Sequence, residues 1–115
     1  GVSFAQCHAM VEIGRAEAIS LNDLAVLLAL DKSTMSRTID NLVNNEMVFR
    51  EVDPDDRRYI TIRLTPQGLE AFRGIEGRMK DYFLKIYQAI PETKRQQVIE
   101  SVKLLLQALT EHECC

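Results

Sequence analysis

The sequence predicts a mostly helical α+β chain, with three helices, a two-stranded hairpin and then two long helices. Three observations predict it. Apolar residues recur at helical spacing along most of the 115 residues. That period gives way to strict alternation in Tyr59-Ile60-Thr61-Ile62-Arg63-Leu64. Just before it stands Asp53-Pro54-Asp55-Asp56-Arg57-Arg58, a run of residues that favour turns.

Residues 4–13 read as the first helix, with Gly14 as its stop. Ser20-Leu21-Asn22-Asp23 has the form of an N-cap with an acidic residue three positions on. It opens a short helix from Leu21 to Ala29, whose apolar face is Leu21, Leu24, Ala25 and Leu28. After a break at Leu30-Asp31-Lys32, a second helix is expected from about Ser33 to Asn44, burying Met35, Ile39, Leu42 and Val43. Val48–Val52 and Tyr59–Leu64 form the hairpin, with Ile60, Ile62 and Leu64 inward. Thr65 caps the next helix and Pro66 takes its first position. That helix is expected to reach Ile90, with Leu69, Phe72, Met79, Phe83, Ile86 and Ile90 as its stripe and Gly74 and Gly77 inside it. Pro91 ends it and starts the last, Glu92 to about Glu113, with Val98, Val102, Leu105 and Leu109 on one face. Residues 1–65 form a first lobe and 66–115 a helical region of one continuous domain.

Composition places the chain among globular proteins, with 46% hydrophobic and 27% charged residues. No apolar run approaches the ~18 residues of a membrane span, and no charged-then-apolar leader opens the chain. The expected address is the cytoplasm, without a membrane partner. Three cysteines in such a chain argue against a disulfide framework. Enzymes are disfavoured: no Gly-rich phosphate loop, nucleophile elbow, H-E-x-x-H or paired catalytic carboxylate is present. Asp55-Asp56 sits on a charged turn beside arginines, a poor place to raise a carboxylate pKa.

Two short helices joined by a tight turn and followed by a hairpin describe a winged helix-turn-helix. In such a module the second helix enters the major groove of double-stranded DNA. Opposite Met35 and Ile39, helix 33–44 displays Ser33, Arg37, Asp40, Asn41 and Asn44, flanked by Thr34 and Ser36. Taken alone, such a polar face is the solvated side of an ordinary helix. With the turn and the hairpin beside it, Arg37 suits guanine or phosphate and Asn41 suits adenine. Ser33, Thr34 and the amides of the helix start suit a phosphate. At the hairpin tip, Asp56 and Arg58 are two residues apart, so the carboxylate is placed to brace the guanidinium for a minor groove. The expected DNA-facing residues are Lys32, Ser33, Thr34, Ser36, Arg37, Asn41, Asp56, Arg57 and Arg58. Bulk charge opposes this reading. The net charge is −3, and residues 31–63 hold six basic and seven acidic side chains. Acids that orient arginines remove the conflict.

Leu24-Ala25, Asp31-Lys32-Ser33-Thr34-Met35-Ser36-Arg37, Asp53-Pro54-Asp55-Asp56-Arg57-Arg58 and Leu64-Thr65-Pro66-Gln67-Gly68 together resemble the MarR family. Asp-x-Arg followed by Leu-Thr-x-x-Gly is the more specific part, and the resemblance covers roughly residues 4 to 110. It implies a homodimer on a palindromic operator, with repression relieved by a small effector, an oxidant or a metal and with no required cofactor. Three departures stand out. Family members usually begin with a further helix that joins the last one in the dimer interface, and this sequence starts too late to supply it. The family often has glycine where Ala29 and Glu46 stand here, and Asn45 is the expected bearer of the left-handed backbone at the second site.

Two other features invite weighing. Cys7 and His8 are adjacent and so diverge by about 100° on a helix, which rules out a nucleophile–base dyad. Cys7 reads first as a small buried hydrophobe, with a redox role as the minority reading. His112-Glu113-Cys114-Cys115 offers His112, Cys114 and Cys115 to a soft metal or metalloid ion, though the spacing matches no standard zinc pattern. The alternatives are therefore a thiol-based sensor variant of the same regulator, or a winged-helix protein-interaction module.

Overall fold

Ser3 opens the first helix with a capping box. In the computed structural model, which describes residues 3–112, its hydroxyl accepts from the Gln6 amide while the Gln6 side chain accepts from the Ser3 N–H. Helix α1 spans Phe4–Ala16. The expected stop at Gly14 is corrected: the helix runs through it and ends at Glu17, whose φ is 68°. Gly14 instead makes room for the Phe72 ring, to which an added Cβ would come within 2.5 Å.

Strand β1 (Ile19–Ser20) leads into α2 (Leu21–Leu28), where the Ser20 hydroxyl accepts from the Asp23 amide at 3.1 Å. Helix α2 ends in a Schellman turn: Ala29 is left-handed at φ 56°, and Leu30 N donates to Ala25 O at 3.0 Å. Asp31 then caps α3 (Lys32–Asn44), accepting from the Thr34 amide at 2.8 Å. The same turn recurs where α3 ends, with Met47 N donating to Leu42 O at 2.9 Å. Glu46, at φ 59°, holds the left-handed position there. Asn45, expected in that role, sits at φ −89° in the residue before it.

β2 (Val48–Val52) and β3 (Ile60–Leu64) pair antiparallel from Val48↔Leu64 to Val52↔Ile60. The wing was expected to have two strands, but β1 adds to the other edge of β3 through Ile19↔Ile62 and Ser20↔Thr61. A two-residue strand leaves no alternation to read, so the third strand was invisible in the sequence.

The core lies where α1, α2, α3 and the sheet meet. Ala9, Met10, Ile13, Leu24, Ala25, Met35, Ile39, Leu42, Val48 and Ile62 are buried together. Each of the larger side chains contributes roughly 1.5–3 kcal/mol by leaving water. Val43, Leu21 and Leu28 pack on the edge of this cluster. Thr38, unexpected in the core, is buried at 7% exposure because its hydroxyl donates to Thr34 O at 2.9 Å.

Helix α4 (Pro66–Ala89) starts against the end of α3. Thr65 N donates to Met47 O at 3.0 Å, and the Thr65 hydroxyl donates to Glu46 O and accepts from the Gly68 amide. A Cβ on Gly68 would stand 1.9 Å from Met47 O, so only glycine lets the helix begin this close. The compact first unit runs to Gly77, and the division falls inside α4. Phe72 on Gly14, and Glu76 in an ion pair with Arg15 at 3.0 Å, tie the first turns of α4 to α1.

The second unit, from Arg78 onward, holds the rest of α4, a 3-10 turn at Glu92–Lys94 and α5 (Arg95–Glu111). Arg95 closes the joint: its Nε donates to Tyr87 O and Ile90 O, an Nη to Gln88 O, and its guanidinium lies 5.0 Å from the Tyr87 ring centre. Among the described residues of this unit none is buried. Leu104, Leu105, Leu106 and Leu109 on α5 are all more than half exposed. Among the described residues, no helix is long and apolar enough to cross a membrane.

Candidate nucleic-acid interface

Helix α3 presents two faces. Met35, Thr38, Ile39 and Leu42 are buried, which leaves Lys32, Ser33, Arg37, Asp40, Asn41 and Asn44 exposed and Thr34 and Ser36 half-buried. The structure thus brings Lys32, Ser33, Ser36 and Arg37 together on one side of the helix, whereas Thr34, beside the Asp31 cap, and Asn41 lie off the groove these residues line. Ser33, Ser36, Arg37 and Asp40 line an open groove with Lys32 and with Leu21 from α2. The start of α3 is already capped by Asp31, whose carboxyl is held below the ordinary range by the hydrogen bonds from Thr34, with a smaller contribution from the nearby Arg37 charge. Among the described residues, Lys32, Arg37 and Arg57 form no ion pair.

The wing tip is ordered by its acids. The Asp53 carboxylate accepts from the Asp55 amide at 2.8 Å, folding the turn back on itself. Asp56 grips Arg58 three ways: Oδ1 accepts from the Arg58 amide at 3.1 Å and from Nε at 3.0 Å, and Oδ2 accepts from an Nη at 2.9 Å. The forked pairing is the strong form of a guanidinium–carboxylate bond. It pulls the Asp56 carboxyl below its ordinary range and raises the Arg58 guanidinium above its own. The Arg58 side chain remains 88% exposed. The carboxylate therefore fixes the direction of a cation that stands in solvent, as the spacing of the two residues anticipated.

Arg50, which no motif singled out, comes to the same region. From β2 its guanidinium bonds to Oδ1 of Asp40 on α3. Arg63 pairs with Glu51 across the two wing strands at 2.9 Å. Neither pair was legible beforehand, because each joins residues of different elements. Only the register of the hairpin and its seat on α3 reveal them.

Cys7 lies half-buried on α1 with its thiol free, and His8 beside it is exposed against Phe4. His112 caps the end of α5. Cys114 and Cys115, the other two residues of the candidate metal or metalloid site, lie outside the described residues. Among the described residues, no three His, Cys, Asp or Glu side chains gather to hold a metal ion.

Known proteins resemble this chain in sequence and fold. A sequence model of the MarR family matches residues 1–58, half of the chain. The uncharacterised HTH-type transcriptional regulator YdgJ of Bacillus subtilis is 24% identical over 100 residues, which make up 87% of this chain and 61% of that protein. The chain thus spans less than two thirds of that relative's length. FabT of Streptococcus pneumoniae, crystallised in complex with DNA, superposes with a TM-score of 0.89 at 22% identity, over 96% of this chain and 77% of that one. A mutant of MarR from E. coli, crystallised with operator DNA, superposes with a TM-score of 0.75 at 21% identity, over 94% and 75% of the two chains. At such identities the superpositions establish the winged-helix fold.

Proposed function

The chain belongs to the MarR family of winged-helix transcription regulators, and from that premise we propose that it is a homodimeric repressor that binds a palindromic operator. Double-stranded DNA is its partner, and it works without catalysis or a required cofactor. Helix α3 reads base edges in the major groove and the wing enters the neighbouring minor groove. The observation that carries this reading is Arg58: a guanidinium 88% exposed, yet held in a fixed direction by both oxygens of Asp56. Both guanidinium edges used by Asp56 leave the rest of the cation in solvent, oriented before any ligand arrives.

The exposed apolar side chains of the second unit support a second copy as the partner of α5. Val102 is 47% exposed and Leu105 60%, on a helix that buries nothing within its own chain. A small effector or soft ion would relieve repression by changing the separation of two α3 helices, whose half-sites lie about one turn of DNA (~34–36 Å) apart.

Selection from randomised DNA duplexes by the full-length chain, followed by titration of the winner at two salt concentrations, tests the proposal. A short palindrome, bound more weakly as salt rises and more weakly still by Arg58→Ala, is the expected result. Folded, dimeric protein that enriches no sequence would overturn it and favour the protein-interaction module.

A further inference from the structure

We propose that Asp40 is a specificity-determining residue of the interface, that it accepts a hydrogen bond from the amino group of a cytosine, and that Arg50 is its positioning residue. The inference rests on the reading of α3 as the helix that enters the major groove. A carboxylate there is unexpected on charge alone, since it faces a polyanion. Asp40 nonetheless lines the groove with Ser33, Ser36 and Arg37, at the i, i+3, i+4 and i+7 spacing of one helical face. Its side chain is 55% exposed.

The pairing explains how the acid is tolerated. Arg37, three residues earlier on the same helix, is the nearest intrahelical partner for Asp40. Asp40 instead bonds to Arg50 on β2, and Arg37 forms no ion pair among the described residues. Arg50 offsets the charge and holds Oδ1, while Oδ2 makes no hydrogen bond among the described residues. An oriented carboxylate oxygen with a free lone pair can only accept. In the major groove two bases offer donors, cytosine through N4 and adenine through N6. Adenine sets its N7 acceptor beside that donor, which repels a carboxylate. Cytosine carries no such acceptor, so the arrangement selects cytosine. Arg37, one turn away and unpaired, remains available for a guanine.

The test is selection from randomised duplexes by the full-length chain and by Asp40→Asn, Asp40→Ala, Arg50→Ala and Arg50→Lys, with the melting temperature of each recorded. The wild type is expected to require cytosine at one position of each half-site. Asp40→Asn should move that preference to adenine, because an amide donates to N7 and accepts from N6. Asp40→Ala should lose it by roughly tenfold, while holding random duplex at least as tightly as the wild type, since a repelling charge is gone. Arg50→Ala should lose the same preference and Arg50→Lys should recover part of it. If both Asp40 variants select the wild-type motif, the proposal is wrong, and a lowered melting temperature would then mark the pair as a structural tie. An intact preference in Arg50→Ala would overturn the positioning role. A wild type that selects no sequence would overturn the operator reading and this proposal together.

Discussion

Ala29 and Glu46 hold backbone angles that ordinarily belong to glycine, at φ 56° and 59°. Each occupies the left-handed position of a Schellman turn, one after α2 and one after α3. For a residue with a Cβ that conformation costs about 1–2 kcal/mol. Glycine removes the cost but gives up roughly 0.5–1 kcal/mol through the freedom it adds to the unfolded chain. Ala29→Gly should therefore stabilise the protein by about 0.5–1 kcal/mol, read as a higher urea midpoint with an unchanged slope. Asp56 sets a pH prediction of known sign. Its carboxyl is depressed in the folded chain by Arg58, so the brace is intact above the ordinary carboxylate range and is lost only as acid takes the pH through the lowered value. The Nε–H resonance of Arg58 should stay constant from pH 8 to pH 5 by NMR. Loss of the brace near pH 6 would contradict the assignment.

The joint between α3, the wing and α4 depends on one missing side chain. Gly68 packs against Met47 O with no space for a methyl group, and the contact is with backbone that cannot rotate away. Gly68→Ala should cost about 3 kcal/mol, the upper end of overpacking, measured by thermal melting. Gly14→Ala should cost less, because its obstacle is the Phe72 ring, a side chain that can turn. The segments around the two glycines also mark where sequence reading succeeded and where it failed. Thr65-Pro66 was legible as a capped helix start because cap and proline stand side by side in the chain. Gly14 was misread as a stop because its reason for being glycine, Phe72, lies far along the chain. The buried stripe of α3 and the strands of the hairpin followed from their periods. β1 did not, since two residues carry no period. Among the site residues, Asp56 and Arg58 were legible because two positions along the chain place them together. The Asp40–Arg50 pair needed the fold.

At the scale of the whole molecule the two units contrast. The first buries a shared core, whereas the second leaves Tyr82, Phe83, Leu104 and Leu105 at least 58% exposed and buries no described residue. Replacing Val102 and Leu105 together by aspartate should convert the proposed dimer to monomer by sedimentation velocity. DNA affinity should then fall roughly 100-fold, as the second half-site is no longer held nearby. A wild-type chain that sediments as a monomer at the same concentration would refute the dimer. Arginines already matched with acids carry little field beyond contact range. Beyond contact range the Asp56–Arg58 couple is nearly neutral, and past a Debye length of about 8 Å at physiological salt the field of the net charge of −3 is itself largely screened. Approaching DNA, such a body gains almost nothing until its side chains meet the grooves. Under the proposed function, its encounters with random sequence should be brief and weakly steered, so few molecules would be held in reserve on irrelevant DNA. Recognition is then decided on arrival at a site, with a slow search and a largely free pool as the kinetic signature.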